Sequence, residues 1–306
     1  MSKKSIQPDK IKGALLLMAL ICVAYAGAKV FENMRVSPPA DNVQAYDAEP
    51  KLAEEPANAT RHQRAKGAEI PAYLNDRPEE IVIHTAYTVS FNRTTHLANW
   101  VAWELTEERS RANTISRYDW FDADPDVKSG STATYADYKG SGYDRGHMCP
   151  AADNKMSKQA MVESFYMSNI CPQTHALNHG DWEQLESLCR RWARLYGSIY
   201  IVCGPIINKE ETYATIGRRK ITVPTRFFKV IMRTGQNARR TSSGSTAEGI
   251  GFVFNNDETS LPLSRHAMSI DQVEELTGIN FFSKLPKEVE RRAEATFDCK
   301  KWNGIN

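Results

Sequence analysis

The chain has 306 residues, 41% hydrophobic and 25% charged, and a formal net charge of +2. These values exclude a disordered, fibrous or collagen-like chain and allow one large domain or two smaller ones with ample core. A protein that captures polyanions by bulk charge carries more excess base than this, so any phosphate chemistry has to be local.

The N-terminus places Lys3, Lys4, Lys10 and Lys12 before an apolar run from Gly13 to Ala28, followed by Lys29. A basic start followed by an apolar run is the pattern of an export signal. The run is about 16 residues long, slightly short of the roughly 20 of a spanning helix. Two readings stand. One is an uncleaved anchor with its lysines on the cytoplasmic side. The other is a signal cleaved near Ala24-Tyr25-Ala26. Lipidation at Cys22 is disfavoured by the bulky Ile21 before it. In either case the rest of the chain faces an oxidising compartment, anchored in the periplasm or secreted. The expected organisation is a signal or membrane anchor over 1–30, a flexible linker over 31–67 and a globular domain over 68–306.

The linker is rich in Pro, Ala and charge, with no sustained apolar period. Asn58-Ala59-Thr60 fits a glycosylation acceptor, a pattern frequent by chance. After Ile70 the pattern turns globular. IVIHTAYTVSF (81–91) and NWVAWEL (99–105) predict strands paired as a hairpin around Asn92–Ala98. Residues 124–142 form a polar, glycine-bearing loop. YDRGHM (143–148) predicts a short strand stopped by Cys149-Pro150, and SFYMSNICPQ (164–173) another stopped by Pro172. DWEQLESLCRRWARLYG (181–197) has helical spacing, with Asp181 as its cap, an apolar face of Leu185, Leu188, Cys189, Trp192 and Leu195, and Gly197 at its end. SIYIVCGPII, ITVPTRFFKVIM and GIGFVFNN predict strands, the last two separated by the polar loop RTGQNARRTSSGSTAE. Ser269–Leu276 predicts a capped helix. The sum is one mixed α+β domain without internal repeats.

Three segments carry chemistry: DRGH at 144–147, SNICPQ at 168–173 and LNHGDWEQLE at 177–186. His147 can accept a proton from water at neutral pH. Arg145 offers a planar fork for phosphate and lies on the same side of a strand as His147. The competing reading is an Asp144–Arg145 surface pair beside a chance histidine. Asn178 offers a hard carbonyl oxygen of the kind Mg²⁺ accepts, or it is a turn asparagine. Glu186 and Arg190 either serve a metal-bound water and a phosphate, or form a surface i,i+4 pair worth about 0.3–0.5 kcal/mol. Asn169 is either a bonded core amide or a site positioner.

Together these segments are more specific than any one of them. The ordered set Asp-Arg-Gly-His, Asn-x-x-Pro-Gln and Asn-x-Gly-x-Trp-x-x-Leu-Glu closely resembles the DNA/RNA non-specific endonucleases of the ββα-metal group, which includes secreted bacterial nucleases and the endonuclease G type. NWVAWEL, VPTRFFKVI and SIDQVEELTGINFF are similar to further family segments, so the resemblance covers roughly residues 70–285. It implies an α+β, ββα-metal (His-Me finger) fold: a central mixed or antiparallel sheet flanked by helices. It also implies Mg²⁺-dependent hydrolysis of DNA and RNA to 5′-phosphorylated products, with Mn²⁺ as a substitute metal. Under it His147 is the general base, Asn178 the sole direct protein ligand of the metal, and Glu186 the holder of a metal-bound water. Asn169 shapes the site. Arg145 and Arg190 lie near the phosphate, and Arg117 matches an upstream phosphate arginine. Met148-Cys149 departs from the usual residues after the histidine. Groups that read phosphate and not base edges give little sequence selectivity.

Activity is expected to fall as His147 becomes protonated, and a rate unchanged through pH 5 would argue against a histidine base. The alternative is a catalytically weak nucleic-acid-binding or uptake protein of the same fold. A third reading is a phosphodiesterase for smaller substrates. Whether a second copy or an inhibitor protein joins the chain is left open. Five cysteines follow the apolar segment, and one or two disulfides are expected among them. A Cys149–His147 nucleophile pair would leave Asn178 and Glu186 unexplained.

Overall fold

The computed structural model describes residues 67–128, 132–234, 247–257 and 261–305. The leader, the linker, the Asn58 motif and most of the loop after Thr234 lie outside them. Among the described residues no helix is long and apolar enough to cross a membrane.

The first predicted strand is two strands, β1 (Glu80–Ile83) and β2 (Thr88–Asn92). The break falls at His84, whose N–H donates to the Tyr87 carbonyl across a tight turn. The imidazole Nε2 of His84 lies 3.0 Å from Asp124 Oδ2 with both side chains fully buried. That pairing fixes the turn, and its partner is forty residues away. β2 then forms the predicted hairpin with β3 (Leu97–Thr106), with a register shift between Ser90 and Phe91. After β3 come α1 (Glu107–Arg111) and a single turn, α2 (Tyr135–Tyr138), inside the expected polar loop. β4 is Asp144–His147, α3 is Lys158–Ser164, and β5 is Ile170–Gln173. β5 continues through Pro172, which a two-stranded ribbon tolerates at its edge.

Two helices follow: α4 (His175–His179) and α5 (Asp181–Tyr196). Asp181 is the first helical residue of α5 and not its cap, because Gly180 occupies the junction with α4. Trp182, Leu185, Cys189, Trp192 and Ala193 form the buried face, while Leu195 is exposed at the far end. The remaining elements are β6 (Ser198–Ile206), β7 (Thr215–Ile216), β8 (Ile221–Thr222), β9 (Arg226–Thr234), β10 (Ala247–Asn255), β11 (Ala267–Met268), α6 (Ile270–Thr277) and α7 (Lys287–Glu294). Ser269 and Gln272 form a capping box for α6.

Seven strands make one antiparallel sheet in the order β1-β2-β3-β6-β9-β10-β11. Its two faces follow the period of two in the central strands. Val101, Trp103, Ile201, Cys203, Phe227 and Ile231 face one core, shared with α5 and the β4–β5 ribbon. Trp100, Ala102, Val202, Phe228 and Val230 face the other, shared with α6 and α7. The sheet therefore serves as a floor that fixes β4, β5, α4 and α5 on one side.

Candidate active site

The ribbon pairs Arg145 with Pro172, Gly146 with Cys171 and His147 with Ile170. Gly146 is required by close approach: a Cβ there would lie 1.9 Å from Gln173 Oε1. The His147 carbonyl accepts from Trp182 Nε1 at 3.0 Å, which ties the ribbon to α5. Arg145, His147, Asn178, Glu186, Arg190 and Arg117 all line one open cleft of about 530 Å³. Three elements, β4, α4 and α5, and the segment carrying Arg117 thus deliver every predicted site residue to one place except Asn169.

The His147 ring meets Phe165 edge-on at 4.8 Å between centroids and also contacts Phe121. Its Nε2 is buried without a partner among the described residues. Burial, with Arg117 and Arg145 nearby, drives its pKa down to about 3. The imidazole is therefore neutral across the whole physiological range, with burial and the two arginines opposing its protonation.

Arg145 does not pair with Asp144. Its guanidinium lies between the rings of Phe121 (4.7 Å) and Tyr135 (4.8 Å), with no carboxylate partner among the described residues. Asp144 instead accepts from Asn178 Nδ2 at 3.1 Å and lies 2.9 Å from His175 Nδ1. The surface-pair reading of DRGH is thereby excluded. The Asp144 contact also orients the Asn178 amide, leaving its Oδ1 as the end available for a ligand.

Arg117 is bonded to Asp119 at 2.8 Å and lies over Phe165. Glu186 is half-buried, and burial pushes its carboxyl up to about 7 against the pull of Lys229 and Arg190. Glu186 and Arg190 do not form a surface pair. Arg190 donates to the buried Asp153 at 3.2 Å and to Ser187 Oγ at 2.9 Å.

The profile of the DNA/RNA non-specific endonuclease family matches residues 68–288. The chain belongs to that family. It is 31% identical over 229 residues to the mitochondrial nuclease EXOG of Mus musculus, covering 71% of this chain and 61% of the mouse protein. It is 36% identical over 218 residues to the mitochondrial nuclease 1 of Schizosaccharomyces pombe, covering 67% and 66%. Human mitochondrial endonuclease G is 34% identical over 206 residues, covering 64% and 67%. The chain thus spans less than two thirds of the length of the mouse and Schizosaccharomyces pombe proteins. A chain in the crystal structure of the EndoG/EndoGI complex, in which EndoG is inhibited, superposes with a TM-score of 0.62 at 27% identity, covering 69% of this chain and 88% of that one. The fold is the ββα-metal nuclease fold: the β4–β5 ribbon followed by α4 and α5, set on the antiparallel sheet.

Within this endonuclease fold Asn169 plays a different part from the cleft residues. It sits in a 3₁₀ turn just before β5, fully buried. Its amide accepts from Cys149 N and donates to the Cys149 and Ser164 carbonyls, each at 2.8 Å. It clamps the chain directly after His147 and does not reach the cleft. Asn169→Ala removes three buried bonds and is expected to cost about 2–3 kcal/mol in a urea melt. A change below about 0.5 kcal/mol would refute the clamp.

Two residues were given no role by sequence reasoning. Lys229 on β9 is completely buried, its ammonium 4.0 Å from the Trp182 ring centre and without a hydrogen-bond partner among the described residues. Burial opposes its charge, but Cys203, Glu186, Cys189 and Asp153 outweigh burial and raise its pKa. Asp153 is buried beside it and also accepts from Trp103 Nε1 at 3.2 Å. The signs of Lys229 in the sequence were its place inside an otherwise apolar strand pattern and within VPTRFFKVI, a segment similar to the family's.

The expected disulfides are absent: Cys149, Cys171, Cys189, Cys203 and Cys299 are free. The first four are core side chains held by packing. Burial pushes the Cys149 thiol up to about 12, which removes it as a nucleophile.

Proposed function

We propose that the chain is a Mg²⁺-dependent, sugar-non-specific endonuclease that hydrolyses phosphodiester bonds of DNA and RNA to 5′-phosphorylated products. The observation that carries this reading is the convergence, in one cleft, of a neutral buried imidazole, an aromatic-sandwiched arginine without a carboxylate partner, and an oriented asparagine oxygen. Family membership and the mitochondrial nucleases it resembles support it.

The donor set fits a hard cation. Asn178 Oδ1 is the ligand atom, and the Glu186 carboxylate beside it suits a water of hydration. When bound, Mg²⁺ (or Mn²⁺ in its place) supplies charge neutralisation at the phosphate and at the departing 3′ oxygen. His147 takes the proton of the attacking water. Its Nε2 is enclosed, so Nδ1 is the nitrogen that serves the cleft. The water oxygen bonds to phosphorus, the P–O3′ bond breaks, the departing 3′ oxygen takes a proton from a second water molecule to become the 3′ hydroxyl, and the phosphate stays on the 5′ side. Arg145 and Arg190 stabilise the added negative charge, and Arg117 holds an outer phosphate. These groups address the backbone, in keeping with low sequence selectivity.

The working domain is placed at 68–306, behind a leader at 1–30 and a linker at 31–67. The basic, apolar leader supports export, with the domain anchored outside the cytoplasm or released. The inhibitor named with the structural neighbour makes a protein inhibitor a candidate partner here, alongside a second copy of the chain.

The test is degradation of plasmid DNA and of RNA by the purified protein in Mg²⁺, in Mn²⁺ and in EDTA. Both polymers should be cut, EDTA should stop cleavage, and Asn178→Ala should shift the Mg²⁺ dependence to much higher concentration. A folded protein that binds DNA without cutting it in any divalent metal would favour the binding or uptake reading. Cleavage competed by short nucleotides and absent on long polymer would favour a small-substrate phosphodiesterase.

A further inference from the structure

We propose that Asp144, His175 and His179 form a second cation site, at the rim of the cleft, for a transition metal of the zinc class. One nitrogen from each histidine and one oxygen of Asp144 lie within 4.8 Å of one another. His175 Nδ1 is 2.9 Å and His179 Nε2 is 3.7 Å from the same oxygen, Asp144 Oδ2. The two histidines are one helical turn apart on α4, and their ring centres are 4.5 Å apart. Two imidazoles four residues apart with a carboxylate opposite are the ligand set of three-coordinate protein sites that keep further positions for water.

The back of the site is also arranged for a metal. His179 Nδ1, the nitrogen facing away from Asp144, lies 3.8 Å from Glu183 Oε2. A carboxylate behind a ligating imidazole fixes its orientation and raises its basicity. Both histidines are well exposed, so a hydrated ion reaches them without rearrangement of the core. Imidazole ligands favour Zn²⁺, Ni²⁺ or Cu²⁺ over Mg²⁺, which prefers oxygen. The site is therefore chemically distinct from Asn178.

It is nevertheless coupled to Asn178. The oxygen that would bind the metal is the one that accepts Asn178 Nδ2 at 3.1 Å. A zinc ion on Asp144 Oδ2 competes for that lone pair and frees the Asn178 amide to turn. Resting on the role proposed above for Asn178, zinc at this site inhibits Mg²⁺-supported cleavage.

The experiment is a zinc titration of the full chain, purified without a histidine tag, followed by calorimetry and by metal analysis after dialysis. Wild type is compared with His175→Gln, His179→Gln, the double variant and Cys299→Ser, with circular dichroism as the check of folding. The wild type should retain one zinc per chain. Each single variant should bind more than roughly tenfold more weakly, and the double variant should not bind. Full zinc retention in the double variant, loss in Cys299→Ser, or no retention by the wild type overturns the site. In a second arm, the ratio of Mg²⁺-supported cleavage with and without zinc is measured for each protein. Zinc should depress the wild type and leave the ratio of the double variant near one. Zinc bound without any depression overturns the coupling to Asn178. Absence of all cleavage in Mg²⁺ alone counts against the nuclease reading, and the titration still decides the metal site.

Discussion

His147→Ala is expected to lower the rate of plasmid cleavage by about 10³-fold, the scale of a lost general base. The loss should fall on kcat with little change in KM, because the imidazole acts on water and not on the bound polymer. The ring fills space against Phe165 and Phe121, so His147→Asn, which keeps part of that volume, separates a chemical loss from a packing loss. Cleavage within tenfold of wild type in both variants would show that another group takes the proton. The structure also revises the expected pH dependence. With burial holding His147 near 3, the base stays unprotonated through pH 5, so persistence of activity there does not count against it. Within the cleft the group that titrates near neutrality is Glu186, held up to about 7 by burial; Glu274, also raised to about 7, lies on α6 away from the cleft. At limiting metal, activity should decline as pH falls through 7, and Glu186→Gln should remove that limb along with part of the activity.

Lys229→Ala is expected to destabilise the protein by about 3–5 kcal/mol at pH 8, which is the scale of removing one partner from a buried charged group. The lysine fills the space beside Trp182 and Trp103 and faces Glu186 and Asp153, so truncation leaves a cavity and uncompensated negative charge together. Lys229→Met restores most of the volume and isolates the electrostatic part. The sign follows from linkage. Glu186 has a folded-state pKa raised above its ordinary 4.5, so the folded protein binds more protons than the unfolded chain between 4.5 and 7. Stability should therefore decline as pH rises through that window. In Lys229→Met the decline should continue to higher pH, because the cation that pulls Glu186 down is gone. Urea melts across pH 4.5–8.5 measure both. A Lys229→Met protein as stable as wild type at pH 8 would mean that Lys229 is an ornament of the strand and not the counter-charge of the site.

Much of the fold could be read from local pattern. The period-two strands at 97–106 and 198–206 and the amphipathic helix at 181–196 are where the pattern placed them, since one buried face leaves a direct trace in residue order, whereas the single strand expected over ITVPTRFFKVIM divides into β8 and β9 around Pro224. The failures share a cause. The break at His84 depends on Asp124, the turn at Asn169 depends on Cys149 and Ser164, and the end of α5 exposes Leu195 because no element covers it. His84 and Asn169 are decided by partners forty and twenty residues away, Asp124 and Cys149, and Leu195 by the absence of a covering element, none of which a local window contains. Helix α7 was missed because its buried face includes glutamates, Glu290 and Glu294, that read as solvent residues.

The division is similar at the cleft. The ordered segments DRGH, SNICPQ and LNHGDWEQLE carried the resemblance to the family, and that resemblance implied the candidate set of base, metal ligand and phosphate arginines, because an ordered set of motifs is legible without the fold. Only the tertiary structure decided their states. It separated Arg145 from Asp144, withdrew Asn169 from the cleft into a backbone clamp, kept the cysteines as thiols and buried the Lys229 charge where it acts on Glu186. It also moved the proton affinities of His147 and Glu186 in opposite charge senses but for one reason. Burial penalises whichever form is charged, and burial is a property of how distant segments pack, not of the residues that follow one another in the chain.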